Sequence, residues 1–249
     1  MAERLEAQPL ADIRVVDLTH GIAGPYCTKL LADFGADVIK IERPGTGDFS
    51  RTIGPFVQDT PHLEKSGLFL YLNTNKKGVT LDTTSPEGVK SLRRLIDGAD
   101  IFIEDWGTGK ADSLGLGYED LEKINPKIVM TSITGFGQTG PYSHFKSEEI
   151  IAYAMGSIMS ISGTKEREPL KHGGFQAQYE SGLNGALSTA FTLVMRDTIG
   201  EGQHVDVSIQ EVVNSTLVVN QPFYSWTGAV QGRRNPEGAM FGNVMPCKD

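Results

Sequence analysis

The sequence predicts an α/β fold, a Rossmann-like parallel sheet with helices wound about it, because strand-like and helix-like segments alternate in three successive rounds. The first round is "IRVVDLT" (13–19), which alternates and is rich in β-branched residues. A glycine turn and an apolar-periodic helix follow in "GIAGPYCTKLLADFG", and "ADVIKIERP" is the next strand. The second round, "GVTLDTTSPEGVKSLRRLIDGADIFIEDW", has a short strand, a helix start at Ser85-Pro86-Glu87, an amphipathic helix and a strand carrying Ile101, Phe102 and Ile103. The third places a short helix over Tyr118 to Ile124 and a strand over Lys127 to Ile133 that ends in glycines.

Beyond Pro141 the pattern changes. "SEEIIAYAMGSIMSISG" and "SGLNGALSTAFTLVMRDTIG" read as helices rich in small residues, which predicts close packing against a neighbour. "GEGQHVDVSIQEVVNSTLVVNQPFYSW" supplies one more strand and another helix, and no internal repeat appears beyond the βα alternation.

A chain of 249 residues with 39% hydrophobic and 22% charged side chains has the profile of a soluble globular protein. Its net charge of -8 comes without a basic run, so nucleic acid is not an expected partner. The N-terminus has no apolar signal core and no segment approaches the roughly 20 apolar residues that cross a bilayer, so no membrane partner is expected and the expected location is the cytoplasm. Cys27 and Cys247 are read as small buried hydrophobes rather than a disulfide or metal pair. "GNVMPCKD" stops on the approach to a turn, which predicts that the natural chain continues.

Several enzyme classes leave no mark. Gly21 and Gly24 precede a helix, and Glu42 lies where a ribose-binding acid would fall, but G-x-x-G-P is not the dinucleotide fingerprint. There is no G-x-S-x-G elbow and no phosphate-binding G-x-x-x-x-G-K-[ST] loop. The five histidines show no H-x-x-x-H spacing, so no metal site is expected. What remains is a set of turns read as following strands: Arg43, then Asn73, Asn75, Lys76 and Lys77, then Trp106 and Gly107, then Phe136 between glycines. Cations for phosphates and aromatic rings for a base suit a phosphorylated, adenine-containing ligand. Gln178 and Glu180 stand where the "SGLNGALSTAF" helix begins.

The stretches "DLTHGIAGPYCTKLLADFGADVIKIERPGTGD", "LNTNKKGVTLDTTSPEG", "SITGFGQTGPY" and "RDTIGEGQHVDVSIQEVV" resemble the class III CoA-transferases, over nearly all of residues 12–249. The resemblance implies a Rossmann-like, CoA-binding large domain whose N-terminal part spans 1–211. A linker and the start of a small domain would occupy 212–249, with a further C-terminal part completing the fold and two ring-shaped subunits interlocking as a dimer. It implies acyl-CoA as substrate, with no permanently bound cofactor and no metal. It assigns CoA contacts to Ala23, Arg43, Asn73, Thr74, Asn75, Lys76, Trp106, Gly107, Gly135, Phe136 and Gly137.

The family's transferases use an aspartate four positions before the glycine of a D-x-x-[ST]-G-L stretch. It attacks the acyl-CoA carbonyl to form a mixed anhydride, and the CoA thiolate returns to give an enzyme thioester. Here that glycine is Gly182, and Gln178 occupies the aspartate position. An amide lacks the charge the chemistry needs, so this chain is expected to have no catalytic residue of that kind; Glu180 is the alternative nucleophile. Ile22, Asp105 and Ser113 also depart from residues seen in several transferases. The expected function is the non-catalytic subunit of a heteromeric CoA-transferase, paired with an aspartate-bearing paralogue. The family precedent is the benzylsuccinate enzyme of anaerobic toluene breakdown, with succinyl-CoA as donor. The alternatives are a self-sufficient homodimeric transferase or racemase using Glu180, and a silent CoA-binding scaffold.

Overall fold

A computed structural model describes residues 8–233. Among these residues six parallel strands form one sheet: β1 (Arg14–Leu18), β2 (Asp37–Glu42), β3 (Lys77–Thr80), β4 (Ile101–Glu104), β5 (Val129–Thr134) and β6 (His204–Ser208). Their spatial order is β3-β2-β1-β4-β5-β6, so the winding direction reverses between β1 and β4. β1 pairs on one side with β2 (Val16 opposite Ile39) and on the other with β4 (Val16 opposite Phe102). In open sheets of this kind ligands bind outside the carboxyl ends of the strands at that reversal.

The central strands β1 and β4 read as apolar-rich runs because both faces are covered, whereas the edge strand β3 is exposed. On one face Val15, Ile101, Ile103 and Ile133 pack under α1 (Ala23–Asp33), α6 (Glu149–Met155), α7 (Gln176–Ile199) and α8 (Ile209–Ser215). On the other, Val16, Ile41, Phe102 and Met130 pack under α3 (Pro86–Asp97), α4 (Lys110–Ser113) and α5 (Tyr118–Glu122). α3 starts as its sequence predicts: Ser85 Oγ accepts from Gly88 N at 3.0 Å, Pro86 needs no partner for a missing N–H, and Leu92 and Ile96 are buried. α2 (Gly67–Leu72) precedes β3, and α9 (Asn220–Thr227) follows α8.

The small residues of α7 have the role expected of them. A Cβ on Gly182 would sit 2.4 Å from the Ala23 carbonyl oxygen, and one on Gly185 would sit 2.9 Å from Ile133 Cδ1. Glycine at both positions lets α7 settle onto α1 and the sheet, which fixes the first turn of α7 beside the start of α1. The helix ends at Gly200, whose φ of 84° suits a residue without a Cβ and whose N–H closes on Arg196 O at 2.8 Å. The packed body runs on past residue 211, since Ile209, Val213 and Leu217 all belong to the α7 face of the core.

One local feature differs from the sequence reading. The Asn73 to Lys76 turn does not follow a strand: it follows α2 and leads into β3. Glu42, at the ribose-acid position of the dinucleotide pattern, is committed to Arg51, which donates from Nε at 2.7 Å and from Nη2 at 2.9 Å. Cys27 is buried, as read, and its thiol is pushed up by that burial and by Asp17; Cys247 lies outside the described residues.

Candidate active-site crevice

At the reversal point β1 runs out into Thr19 and His20, and α1 begins three residues later, turning the chain through Gly21 at φ 78°. A closed network of charges holds this turn. Asp17, fully buried in β1, accepts from Thr19 N at 3.0 Å and Thr19 Oγ1 at 2.6 Å through one oxygen, and from Thr28 Oγ1 at 2.6 Å and Lys76 Nζ at 3.1 Å through the other. Lys40 donates to the Thr19 carbonyl and lies 2.9 Å from Asp48 Oδ2 and 3.8 Å from Asp17 Oδ1. Asp48 Oδ1 in turn accepts from Gly21 N at 2.9 Å and from Ser50 N and Oγ at 2.8 Å. Burial works to raise the Asp17 carboxyl, but Lys40, Lys76 and the two threonine hydroxyls outweigh it and hold it well below the usual carboxylate range. Desolvation pulls the Lys76 ammonium down to about 8 despite Asp17 beside it.

Next to this network the crevice is open. A cavity of about 220 Å³ is lined by His20 and Ala23 from the start of α1, by Asp105, Trp106 and Gly107 after β4, by Thr134 and Gly135 after β5, and by Gln178 from the first turn of α7. Larger hollows lie elsewhere. One of about 490 Å³ is at the opposite end of the sheet against Asp100 and Arg196, and one of about 420 Å³ sits beneath β4 and β5 beside Tyr118 and His204. Neither contains Gln178. Of these three cavities, the smallest joins the reversal point to the helix start that the sequence singles out.

Three of its polar side-chain atoms lack partners. His20 Nε2, Thr134 Oγ1 and Ser147 Oγ are buried with no hydrogen-bond partner among the described residues, and all three residues line the cavity. Glu149, at the start of α6, accepts from Ala177 N at 2.9 Å through Oε1 while Oε2 has no partner. It thereby holds the first turn of α7, where no side chain of the cap residue, Phe175, accepts from the helix. Burial raises the Glu149 carboxyl, against the Ala177 and Gln178 amides and Lys171, which lower it. A protein rarely leaves several buried donors and acceptors unmet in one place, and where it does a ligand or solvent is the usual complement.

Asp105 turns inward rather than toward the cavity mouth. Its Oδ2 accepts from His20 N at 2.6 Å and its Oδ1 lies 3.7 Å from His20 Nδ1. Burial raises the Asp105 carboxyl and His20 draws it back. The turn after β4 is set from below by Glu104, which accepts from Trp106 N at 2.7 Å. Desolvation pushes the Glu104 carboxyl up to about 7, against hydrogen bonds from Ser132 and Trp106.

The residues assigned to CoA fall into two groups. Ala23, Trp106, Gly107 and Gly135 line the cavity, and Phe136 and Gly137 continue from Gly135, with Phe136 nearly buried against Tyr142 and Phe145. Gly137 adopts φ 80°, and the Thr108 hydroxyl ties this loop down by donating to Ser143 O at 2.8 Å. Arg43 is exposed just after β2. The Asn73 to Lys76 turn lies beside α1, where Asn73 Nδ2 donates to Phe69 O, Thr74 Oγ1 to Tyr71 O and Asn75 Nδ2 to Asp33 Oδ1. Lys76 points into the protein: its ammonium is satisfied by Asp17, Pro25 O and Asn73 Oδ1. Glu180 is on another side of α7 from the cavity, near Tyr153 and His172, with burial raising its carboxyl and His172 lowering it. His20, Thr134, Ser147 and Glu149 all sit in stretches quoted above, yet none of the four carries a sequence signal of its own. Among the described residues no group of His, Cys, Asp and Glu is arranged to hold a metal ion, and no helix is long and apolar enough to cross a membrane.

Comparison with known proteins gives the family. The family model for CoA-transferase family III matches residues 10–249. The chain is 42% identical over 240 residues to the formyl-CoA:oxalate CoA-transferase of Rhodopseudomonas palustris, covering 95% of this chain and 55% of that protein. It is 39% identical over 246 residues to the succinate–glutarate CoA-transferase of Agrobacterium fabrum, covering 97% of this chain and 61% of that one. A CAIB/BAIF family protein from Brucella suis superposes with a TM-score of 0.86 at 36% identity, over 95% of this chain and 63% of its own. The chain thus spans about half to three fifths of the length of these relatives. With the reversal-point crevice and matches over almost its whole length, this chain belongs to CoA-transferase family III.

Proposed function

We propose that this chain is the non-catalytic subunit of a heteromeric CoA-transferase, working with a related subunit that carries the nucleophilic aspartate. The observation that carries the reading is Gln178, an amide lining the reversal-point cavity where the attacking carboxylate is expected. An amide does not form the anhydride through which acyl groups pass, whereas the rest of the crevice remains suited to a thioester. Ala23, Trp106, Gly107 and the Gly135 to Gly137 turn would take the pantetheine and thioester end of CoA. Arg43, exposed just after β2, is the cation available to a phosphate, while Lys76 serves the buried network. Acyl-CoA is substrate, with no resident cofactor.

Relatives named for glutarate, succinate and oxalate favour a small carboxylic acid as acceptor and succinyl-CoA as donor. Benzylsuccinate is the narrowest version of this proposal. A self-sufficient enzyme using Glu180 is less favoured, since that carboxyl faces Tyr153 and His172 rather than the cavity.

Native mass spectrometry of the untagged protein from its own host tests the reading. The expected result is a complex with a second, related chain that has aspartate at the position of Gln178, and no CoA exchange by this chain alone. A self-assembled preparation that moves CoA between two acids at enzymatic rates would overturn it.

A further inference from the structure

The crevice retains one group with the features of a base. His20 Nε2 is buried, lines the cavity and has no partner, while the other edge of the ring faces Asp105. Asp105 accepts from the His20 main-chain N–H at 2.6 Å through one oxygen and lies 3.7 Å from Nδ1 with the other. One carboxylate therefore holds the backbone of His20 and faces the edge of its ring where an imidazolium would carry positive charge. This is the base-and-orienter arrangement that activates a weak nucleophile elsewhere. The Thr134 and Ser147 hydroxyls in the same cavity are free to donate. At about 220 Å³ the cavity has room for water beside a thioester, since one water takes about 30 Å³.

We propose that this crevice hydrolyses acyl-CoA, with water in place of the acceptor acid and His20 as general base held by Asp105. The proposal rests on the reading that an acyl-CoA thioester enters the cavity, and goes beyond it by giving this chain a reaction of its own. Water attacks the thioester carbonyl carbon and gives one proton to His20 Nε2 as the C–O bond forms. The carbonyl electron pair moves onto oxygen, where Thr134 and Ser147 donate to it. When the pair returns, the C–S bond breaks, its electrons leave with sulfur, and the proton on His20 passes to the CoA thiolate. The products are free CoA and a carboxylic acid, which ionises to solvent. No oxidant, metal or second substrate is needed. Gln178 is what leaves water the opening, because a carboxylate there would attack first.

The test uses the purified protein in the assembly it forms, with succinyl-CoA in H₂¹⁸O and a protein-free blank to subtract spontaneous breakdown. Thiol release without an acceptor, with one ¹⁸O entering the succinate, is expected. His20→Gln should lower it by about 100-fold or more, the usual worth of a general base. Asp105→Asn should lower it less, and Glu180→Gln should leave it unchanged. Binding of a non-hydrolysable thioether analogue of succinyl-CoA is measured in parallel. Hydrolysis at the wild-type rate in both His20→Gln and Asp105→Asn, or none above the blank in wild type, would overturn the proposal while analogue binding left the functional reading in place. Failure to bind the analogue would overturn both.

Discussion

Two polar clusters sit side by side at the carboxyl end of β1, and they differ in whether they are complete. Around Asp17 each charge meets an opposite charge, a hydroxyl or a backbone group, and water is shut out. In the cavity that Gln178 lines, beside the same turn, a histidine nitrogen and two hydroxyls have no partner among the described residues. A complete network is architecture: it fixes the turn and has no capacity left for a ligand. An incomplete one is a site, because folding has already borne the desolvation of groups whose partners arrive later. The contrast also shows why Lys76, a cation in a ligand-type loop by sequence, belongs to the first cluster.

The largest effect should come from breaking the complete cluster. Asp17→Ala leaves the Lys40 and Lys76 ammonium groups buried without their shared carboxylate. Removing one partner of a buried ion pair costs about 3–5 kcal/mol. Urea unfolding followed by circular dichroism should show a loss of that size, and a loss below about 1 kcal/mol would mean that Asp48 suffices for Lys40 and that Pro25 O and Asn73 Oδ1 suffice for Lys76.

Glu104 lies between the two cases and sharpens the comparison through pH. It is buried and hydrogen-bonded to Trp106 N and Ser132, yet no cation is among the groups that set its titration, so burial dominates and pushes it up to about 7 from 4.5. The folded state therefore holds this proton more tightly than the unfolded chain. Its contribution is full below about 4.5 and is lost as pH rises through about 7. The difference amounts to roughly 3 kcal/mol at pH values above that window. Glu104→Gln cannot ionise and keeps an acceptor for Trp106 N, so it should be more stable than wild type above pH 7 and nearly equal to it below pH 4.5. Parallel unfolding curves across that range would show that Glu104 ionises without cost. Asp17 has the opposite sign: its depressed carboxyl stabilises the protein above the unfolded value, and that stability is lost in acid.

The legibility of these features follows their range in sequence. β1 and β4 stand out as apolar-rich runs because strands buried on both faces favour apolar side chains, and Ser85-Pro86-Glu87 marks a helix start through contacts three residues apart. The position of the Asn73 to Lys76 turn does not stand out, since the short α2 shifts it ahead of β3 and no local pattern separates the turns at a strand's two ends. Gln178 is found by its spacing from Gly182, and the same glycine proves to be where α7 meets Ala23. The unmet atoms of His20, Thr134 and Ser147 come from three distant segments. Their lack of partners is a property of the assembled crevice and leaves no local trace.

The smallest stability effect, and the finest test of the comparison, is expected at Thr134. Its hydroxyl is buried and unpartnered, so Thr134→Val removes a desolvated oxygen and substitutes a methyl of nearly the same shape. Losing an unmet polar group is neutral or slightly stabilising, within about 1 kcal/mol, because no hydrogen bond is broken. Ligand binding should move the other way. If Thr134 Oγ1 awaits a thioester oxygen, the variant forfeits one hydrogen bond, about 1–1.5 kcal/mol, or about tenfold in Kd for a succinyl-CoA thioether analogue measured by calorimetry. The pair of readouts is decisive because a structural hydroxyl would give the reverse pattern, with stability falling and affinity unchanged. That result would move Thr134 into the complete cluster and leave His20 and Ser147 to define the site.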